Sequence, residues 1–142
     1  KHWSEASPLS PASSNASVAA ALAGVFLTIQ HLLPHLRRAE HAKIAIISSQ
    51  MASHTRAPGG SYIYRASKAA VLNLGRNLAT DLRPEGISVG IYHPGWVQTD
   101  MGGANAAITV DESAKGLMNR FAALNLQTTG CFETWDGQAH AY

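Results

Sequence analysis

Cysteine occurs once in the 142 residues, at Cys131, so no disulfide can close within the chain and a reducing compartment, by default the cytoplasm, is expected. Charge is scarce as well, with Asp, Glu, Lys and Arg making up 14% of the residues and a formal net charge of +2. The basic residues are scattered, with no run interleaved with aromatics of the kind that tracks a phosphate backbone, and nucleic acid is excluded as a partner. Long apolar runs are missing too: the longest, Val18 to Leu33, is broken by Gly24, Thr28, Gln30 and His31. It reads as a buried helix, too polar and too short to span a bilayer, so no membrane span is predicted. The opening Lys1 to Asn15 is rich in Ser and Pro and lacks the basic-then-apolar layout of a signal peptide. It is expected to be irregular, and a start at Lys1 rather than Met suggests a fragment. No metal site is expected either: His31 and His35 are four apart, but Pro34 disturbs the turn between them and no third ligand is evident.

Apolar residues make up 46% of the chain, enough for one globular unit with a sizeable core, expected over 16–142. Val18, Leu22, Val25, Phe26, Ile29, Leu32, Leu33 and Leu36 follow helical spacing and predict a first helix, ended by Pro34 and the polar stretch Arg37 to His41. Lys43 to Ile47 reads as a short buried strand ending at the hydroxyls of Ser48 and Ser49. Gln50 to Ser61, with Pro58, Gly59 and Gly60, reads as a loop. A second helix, from about Tyr64 to Leu82, has its apolar stripe at Ala70, Val71, Leu74, Leu78 and Leu82 and halts at Pro84-Glu85-Gly86. Ile87, Val89 and Ile91 predict another strand, ending at His93-Pro94-Gly95. Thr109 and Glu112 form a capping box for a helix over Asp111 to Leu124, and Gly130 to Trp135 predicts a last strand. Alternating helices and strands argue for an α/β fold, a parallel sheet with helices on both faces and right-handed crossovers. About three strands are too few for a complete doubly wound sheet, so the chain is expected to be the C-terminal half of a Rossmann-like fold.

Tyr64 and Lys68 lie four apart and share one helix face. A phenol with pKa ~10 is a poor base at neutral pH, and a cation beside it favours the phenolate and so makes proton transfer possible. The pattern is weak alone, because any solvated helix face can carry it. Its context is the Ser48, Ser49 pair at a strand end and the stretch Pro94 to Met101 after the next strand, all at the carboxyl ends of successive elements, where open α/β sheets place their chemistry. Trp96, beside that turn, lines a substrate pocket or packs in the core with even weight, and Cys131 reads as a buried inert thiol.

Ser48-Ser49, then Tyr64-Arg-Ala-Ser-Lys68-Ala-Ala, then Pro94-Gly-Trp-Val-Gln-Thr-Asp-Met101, in this order and spacing, resemble the short-chain dehydrogenase/reductase family. Gly59-Gly-Ser-Tyr-Ile-Tyr, Gly130-Cys-Phe and Trp135-Asp-Gly resemble its C-factor-like and carbonyl-reductase-like branch. The resemblance implies NAD(P)-dependent hydride transfer between a nicotinamide and the carbon of a carbonyl or secondary alcohol. It implies that Tyr64 is the acid/base and that Lys68 assists it and binds the nicotinamide ribose. Ser49 would polarise the substrate carbonyl, with Ser48 in reserve because Ser49 precedes Tyr64 by slightly more than the family's commonest spacing. Tyr64, Lys68, Pro94, Gly95, Val97 and Thr99 would contact NADP or NAD. It also implies a homodimer or homotetramer through the helices near 18–36 and 64–82. Two departures stand out. Ala21 occupies the place of the family's usual Asn on the first helix, which puts its proton relay in doubt. The Thr-Gly-x-x-x-Gly-x-Gly phosphate loop and its strand are absent from the chain, and with them the residues that choose between NAD and NADP. The second reading is therefore a truncated, non-enzymatic remnant that serves as an interaction module.

Overall fold

The computed structural model describes residues 11–142, with side chains from residue 19 onward. Three helices and three strands alternate: α1 (Pro11–Leu36), β1 (Lys43–Ile47), α2 (Tyr62–Leu82), β2 (Ser88–His93), α3 (Val110–Ala123) and β3 (Phe132–Thr134). The strands form one open parallel sheet in the order β1-β2-β3. This is the α/β, partial doubly wound architecture expected.

Strand alternation explains why the sheet needs cover on both sides. Val89 and Ile91 face α2, while Tyr92 on the opposite face meets Phe121 of α3 edge-on at 5.1 Å between ring centroids. β2 is buried along its whole length, as a central parallel strand should be. β1 is buried only at alternate residues, Ile44 and Ile46 inward and Lys43, Ala45 and Ile47 exposed. Its outer edge pairs with nothing among the described residues. Beside it, α1 and β1 flank an apolar groove of about 370 Å³ that includes Val25, Ile29, Leu32, Ile44 and Ile46.

α1 departs from the expectation in two ways. It begins at Pro11, a position where the missing N–H of proline costs nothing, so 11–15 of the segment expected to be irregular are helical, and residues 1–10 lie outside the described residues. Its end at Leu36, just before the polar stretch Arg37 to His41, is the expected one, with Pro34 inside the helix. The 18 residues Ala19–Leu36 have a mean hydropathy of 1.4 and only 6% of them are buried. By length and composition alone, then, α1 is long and apolar enough to cross a membrane, contrary to the reading of the shorter run. Within the fold its inward stripe has another use: Ile29 is buried, and Ala21, Val25, Leu33 and Leu36 pack against the core.

α2 approaches the sheet closely at Gly75. A Cβ there would lie 2.6 Å from Ile91 Cγ1 and 3.1 Å from Ile46 Cδ1, and Ile91 is fully buried. Gly75→Val is expected to lower stability by about 3 kcal/mol, the upper end of the usual overpacking range. Urea denaturation checks this, and an unchanged midpoint would refute the packing argument.

Candidate active site

The carboxyl edge of the sheet gathers the candidate residues. β1 ends in two serines whose hydroxyls have different partners. Ser48 continues the inward face of Ile44 and Ile46, and its Oγ donates to the Lys68 carbonyl on α2 at 2.9 Å. Ser49 is also buried. It caps the short 3-10 turn Gln50–Ala52, its Oγ accepting from the Met51 N–H at 3.2 Å, which leaves the Ser49 hydroxyl proton free for another acceptor. The loop expected over Gln50 to Ser61 thus opens with this turn.

The loop enters α2 through Gly59, Gly60 and Ser61, all left-handed at φ +86°, +72° and +49°. Glycine takes this conformation without strain, whereas Ser61 costs about 1 kcal/mol, of the kind found near functional sites. One turn later Tyr64 is exposed, and Lys68 Nζ lies 5.8 Å from the centroid of its ring. The shared face expected from the spacing is therefore present. Ala21 of α1 packs as a methyl group against the core and offers no polar atom.

After β2 the chain turns at Gly95 (φ +91°), where a Cβ would come within 2.5 Å of Ile108 and 2.9 Å of Trp135. Glycine is therefore required for both conformation and space. The Pro94 carbonyl is held by the Ser113 hydroxyl of α3 at 2.6 Å. Val97 is bridged to Ile108, and the Gln98 N–H donates to the Ile108 carbonyl at 2.9 Å. Thr99 Oγ1 accepts from the Gly102 N–H at 3.1 Å. Trp96 is 55% exposed, which removes core packing as its role, and its indole N–H donates to the Gly102 carbonyl at 2.9 Å. The capping box is complete: Thr109 Oγ1 accepts from the Glu112 N–H at 3.2 Å, and Glu112 Oε2 accepts from the Thr109 N–H at 2.8 Å.

Ser113 and His93 were not singled out from the sequence. His93, the last residue of β2, is buried, and its Nδ1 has no hydrogen-bond partner. Its ring lies 5.9 Å from that of His140, which in turn lies 5.1 Å from Phe132. The available signal was a titratable residue closing an apolar strand just before the Pro94-Gly95 turn. Burial, then the neighbouring His140 and Arg56, depress His93 to a pKa of about 4 from an ordinary 6.5. Burial, then the Arg56 charge, lowers His140 as well. The unfolded chain therefore binds the His93 proton more tightly than the folded one, so the stability from His93 is complete above pH 6.5 and lost as pH falls toward 4. A melting temperature that declines across this window, with a shallower slope in His93→Phe, is expected from a thermal-melt series. Equal slopes in both proteins would count against it.

The remaining candidates are structural. His31 Nδ1 pairs with the Leu27 carbonyl, and His35 Nδ1 with Arg38. Among the described residues no group of three or more His, Cys, Asp or Glu could hold a metal. Burial raises Cys131, and its Sγ lies 3.7 Å from the Tyr92 hydroxyl.

The family model for short chain dehydrogenase matches residues 2–108 of this sequence. The chain belongs to that family. C-signal of Myxococcus xanthus is 41% identical over 107 residues, covering 75% of this chain and 64% of that protein. Among solved structures, carbonyl reductase Sniffer of D. melanogaster superposes with a TM-score of 0.91 at 28% identity, over 95% of this chain and 59% of the other. NADPH-bound carbonyl reductase from chicken fatty liver superposes with a TM-score of 0.86 at 31% identity, over 94% of this chain and 59% of the other. The chain thus spans less than two thirds of the length of each of these relatives.

Proposed function

We propose that this chain is the catalytic part of an NAD(P)-dependent oxidoreductase that interconverts carbonyls and secondary alcohols. The observation that carries this reading is the exposed Tyr64 ring with the Lys68 ammonium 5.8 Å from its centroid, at the sheet edge that also holds Ser49 and the Pro94-Gly95 turn. The nicotinamide dinucleotide, when bound, supplies the hydride. The residues present suit its nicotinamide end. Gly95 lets the chain turn sharply beside Tyr64's side of the sheet, and Pro94, Val97 and Thr99 are each tied by main-chain or hydroxyl contacts that would hold the turn to receive a ring. The family's glycine-rich loop, which would hold the dinucleotide's pyrophosphate at this edge of the sheet, does not occur in the sequence.

The division of labour follows from the hydrogen bonds. Ser48 spends its proton on the Lys68 carbonyl, so it locks β1 to α2 and is not the group that polarises substrate. Ser49 keeps its proton and takes that role toward the carbonyl oxygen. Tyr64 gives that oxygen a proton during reduction and removes it during oxidation, and Lys68 places a positive charge beside the phenol and binds the ribose. NADP is the more natural partner in view of the NADPH-bound chicken reductase, with NAD as the alternative. The test is to incubate the complete protein with NADPH or NADH and a panel of aldehydes and ketones while following nicotinamide absorbance. No oxidation with any of them would return the non-enzymatic remnant to first place.

Assembly enters the same reading. α1 leaves Phe26, Leu27 and Leu32 exposed, and α2 leaves Tyr62 exposed, apolar side chains that a second copy would cover. We propose that α1 and α2 pair with their copies in a homodimer or homotetramer. Light scattering on the complete protein should give twice or four times the monomer mass, and a monomer at micromolar concentration would overturn this.

A further inference from the structure

At the opposite edge of the sheet from Tyr64 lies a second concave surface. The C-terminal half of α2 and the turn that follows it present Arg76, Thr80 and Arg83 across a cavity of about 380 Å³ to the 128–131 turn and Tyr142. Sequence spacing makes this face: residues i, i+4 and i+7 project from one side of a helix. The facing wall is fixed. Thr129 Oγ1 accepts from the Val89 N–H at 2.9 Å, the Gly130 N–H donates to the Val89 carbonyl at 2.7 Å, and the Tyr142 hydroxyl donates to the Gly130 carbonyl at 2.9 Å. The Arg76 guanidinium is held against the Tyr142 ring, 3.5 Å from its centroid.

The chemistry of this cleft is unbalanced. No Asp or Glu lines it. The ion pairs among the described residues join Arg37 to Glu85 and Arg120 to Glu133, and neither Arg76 nor Arg83 takes part. Other arginines spend donors on protein oxygens, Arg56 on Gln50 Oε1 and Arg65 on the Arg56 carbonyl. The Thr80 hydroxyl is turned inward to the Arg76 carbonyl at 3.3 Å, so the donors left for a ligand are the two guanidiniums. Their backbones are about 10 Å apart, two helical turns, a span that two arginine side chains can close on one ligand. One carboxylate would be used up by a single guanidinium fork and leave the second charge unmatched, whereas a phosphate has oxygens and charge for both.

We propose that this cleft binds a small phosphorylated metabolite through its phosphate, shared between Arg76 and Arg83. The site is remote from Ser49, Tyr64 and the Pro94-Gly95 turn, so its ligand does not compete with substrate, and the proposal stands whether or not the chain is an oxidoreductase. Its test is calorimetric titration of the complete protein with inorganic pyrophosphate at low ionic strength, repeated with Arg76→Ala, Arg83→Ala, Arg76→Lys and, as a control of equal charge change, Arg56→Ala. Saturable binding tighter than about 1 mM is expected. It should weaken at least tenfold in each alanine variant of the cleft, less in Arg76→Lys, and not at all in Arg56→Ala. All three positions lie outside the core, so folding is retained. Failure to saturate by about 10 mM, equal affinity in the parent and both cleft variants (a phosphate held elsewhere on the protein), or equally tight binding of acetate would each overturn the proposal.

Discussion

Tyr64→Phe in the complete enzyme is expected to lower turnover by about 10²–10⁴-fold, the usual worth of a positioned acid/base group, while leaving affinity for the nicotinamide cofactor almost unchanged. The substitution removes one oxygen and its proton and keeps the ring. The ring is exposed and at the start of α2, so no core contact or buried hydrogen bond of the hydroxyl is lost and the fold stays as it is. Lys68→Ala should behave differently, because it removes the cation beside the phenol and the group assigned to the ribose together. Cofactor affinity and turnover should then fall in parallel. Steady-state kinetics with cofactor titration separate the two patterns. More than about a tenth of parental activity in Tyr64→Phe would sink the assignment of the proton step to this residue.

The 142 residues taken alone are expected to bind neither NADH nor NADPH measurably and to turn over no carbonyl substrate. Much of the affinity for a dinucleotide comes from the pyrophosphate at a helix N-terminus and from an acidic or basic partner for the adenosine ribose. Neither is furnished by the β1-β2-β3 sheet, to which the proposed function assigns only the nicotinamide end. The outer edge of β1, with Ile47 exposed and the groove against α1 beside it, is also a template for unwanted strand pairing, so poor solubility should accompany the lack of binding. Titration of the purified chain by nicotinamide fluorescence is the check. Saturation tighter than about 0.1 mM, equivalent to more than about 5 kcal/mol, would place cofactor affinity in the wrong half of the fold.

What could be read from residue order alone was whatever depends on short separations. The Tyr64, Lys68 face and the Thr109, Glu112 capping box are three- and four-residue relationships set by helix geometry, and both are present. The alternation of helices and strands followed from runs of apolar residues and their punctuation by Pro84-Glu85-Gly86 and by Pro94-Gly95. What could not be read depends on how distant segments meet. Which of Ser48 and Ser49 gives up its proton to α2 is fixed by the pleat of β1, since the inward phase of Ile44 and Ile46 continues to Ser48. The burial of His93 goes with a tail that returns through the Asp136-Gly137 turn and brings the His140 ring to 5.9 Å from that of His93, a partner that nothing in the sequence around His93 reveals. The start of α1 was missed because Ser and Asn between Pro11 and Ala16 look like a linker, whereas proline at the first helical position and the alanines that follow are compatible with a helix.

The parallel order of the sheet also bears on how the chain assembles. Lys43 lies opposite Ser88, and Ile91 lies opposite Phe132, so each strand must wait for a whole helix to be made and folded back before it gains a neighbour. None of the three strands is joined to another by a hairpin, and the rate is set by closing long loops more than by local preference. β2, buried on both sides and bonded along both edges, is the last common meeting point of these closures. Its six residues therefore join the two closures, one made through α2 and the other through α3.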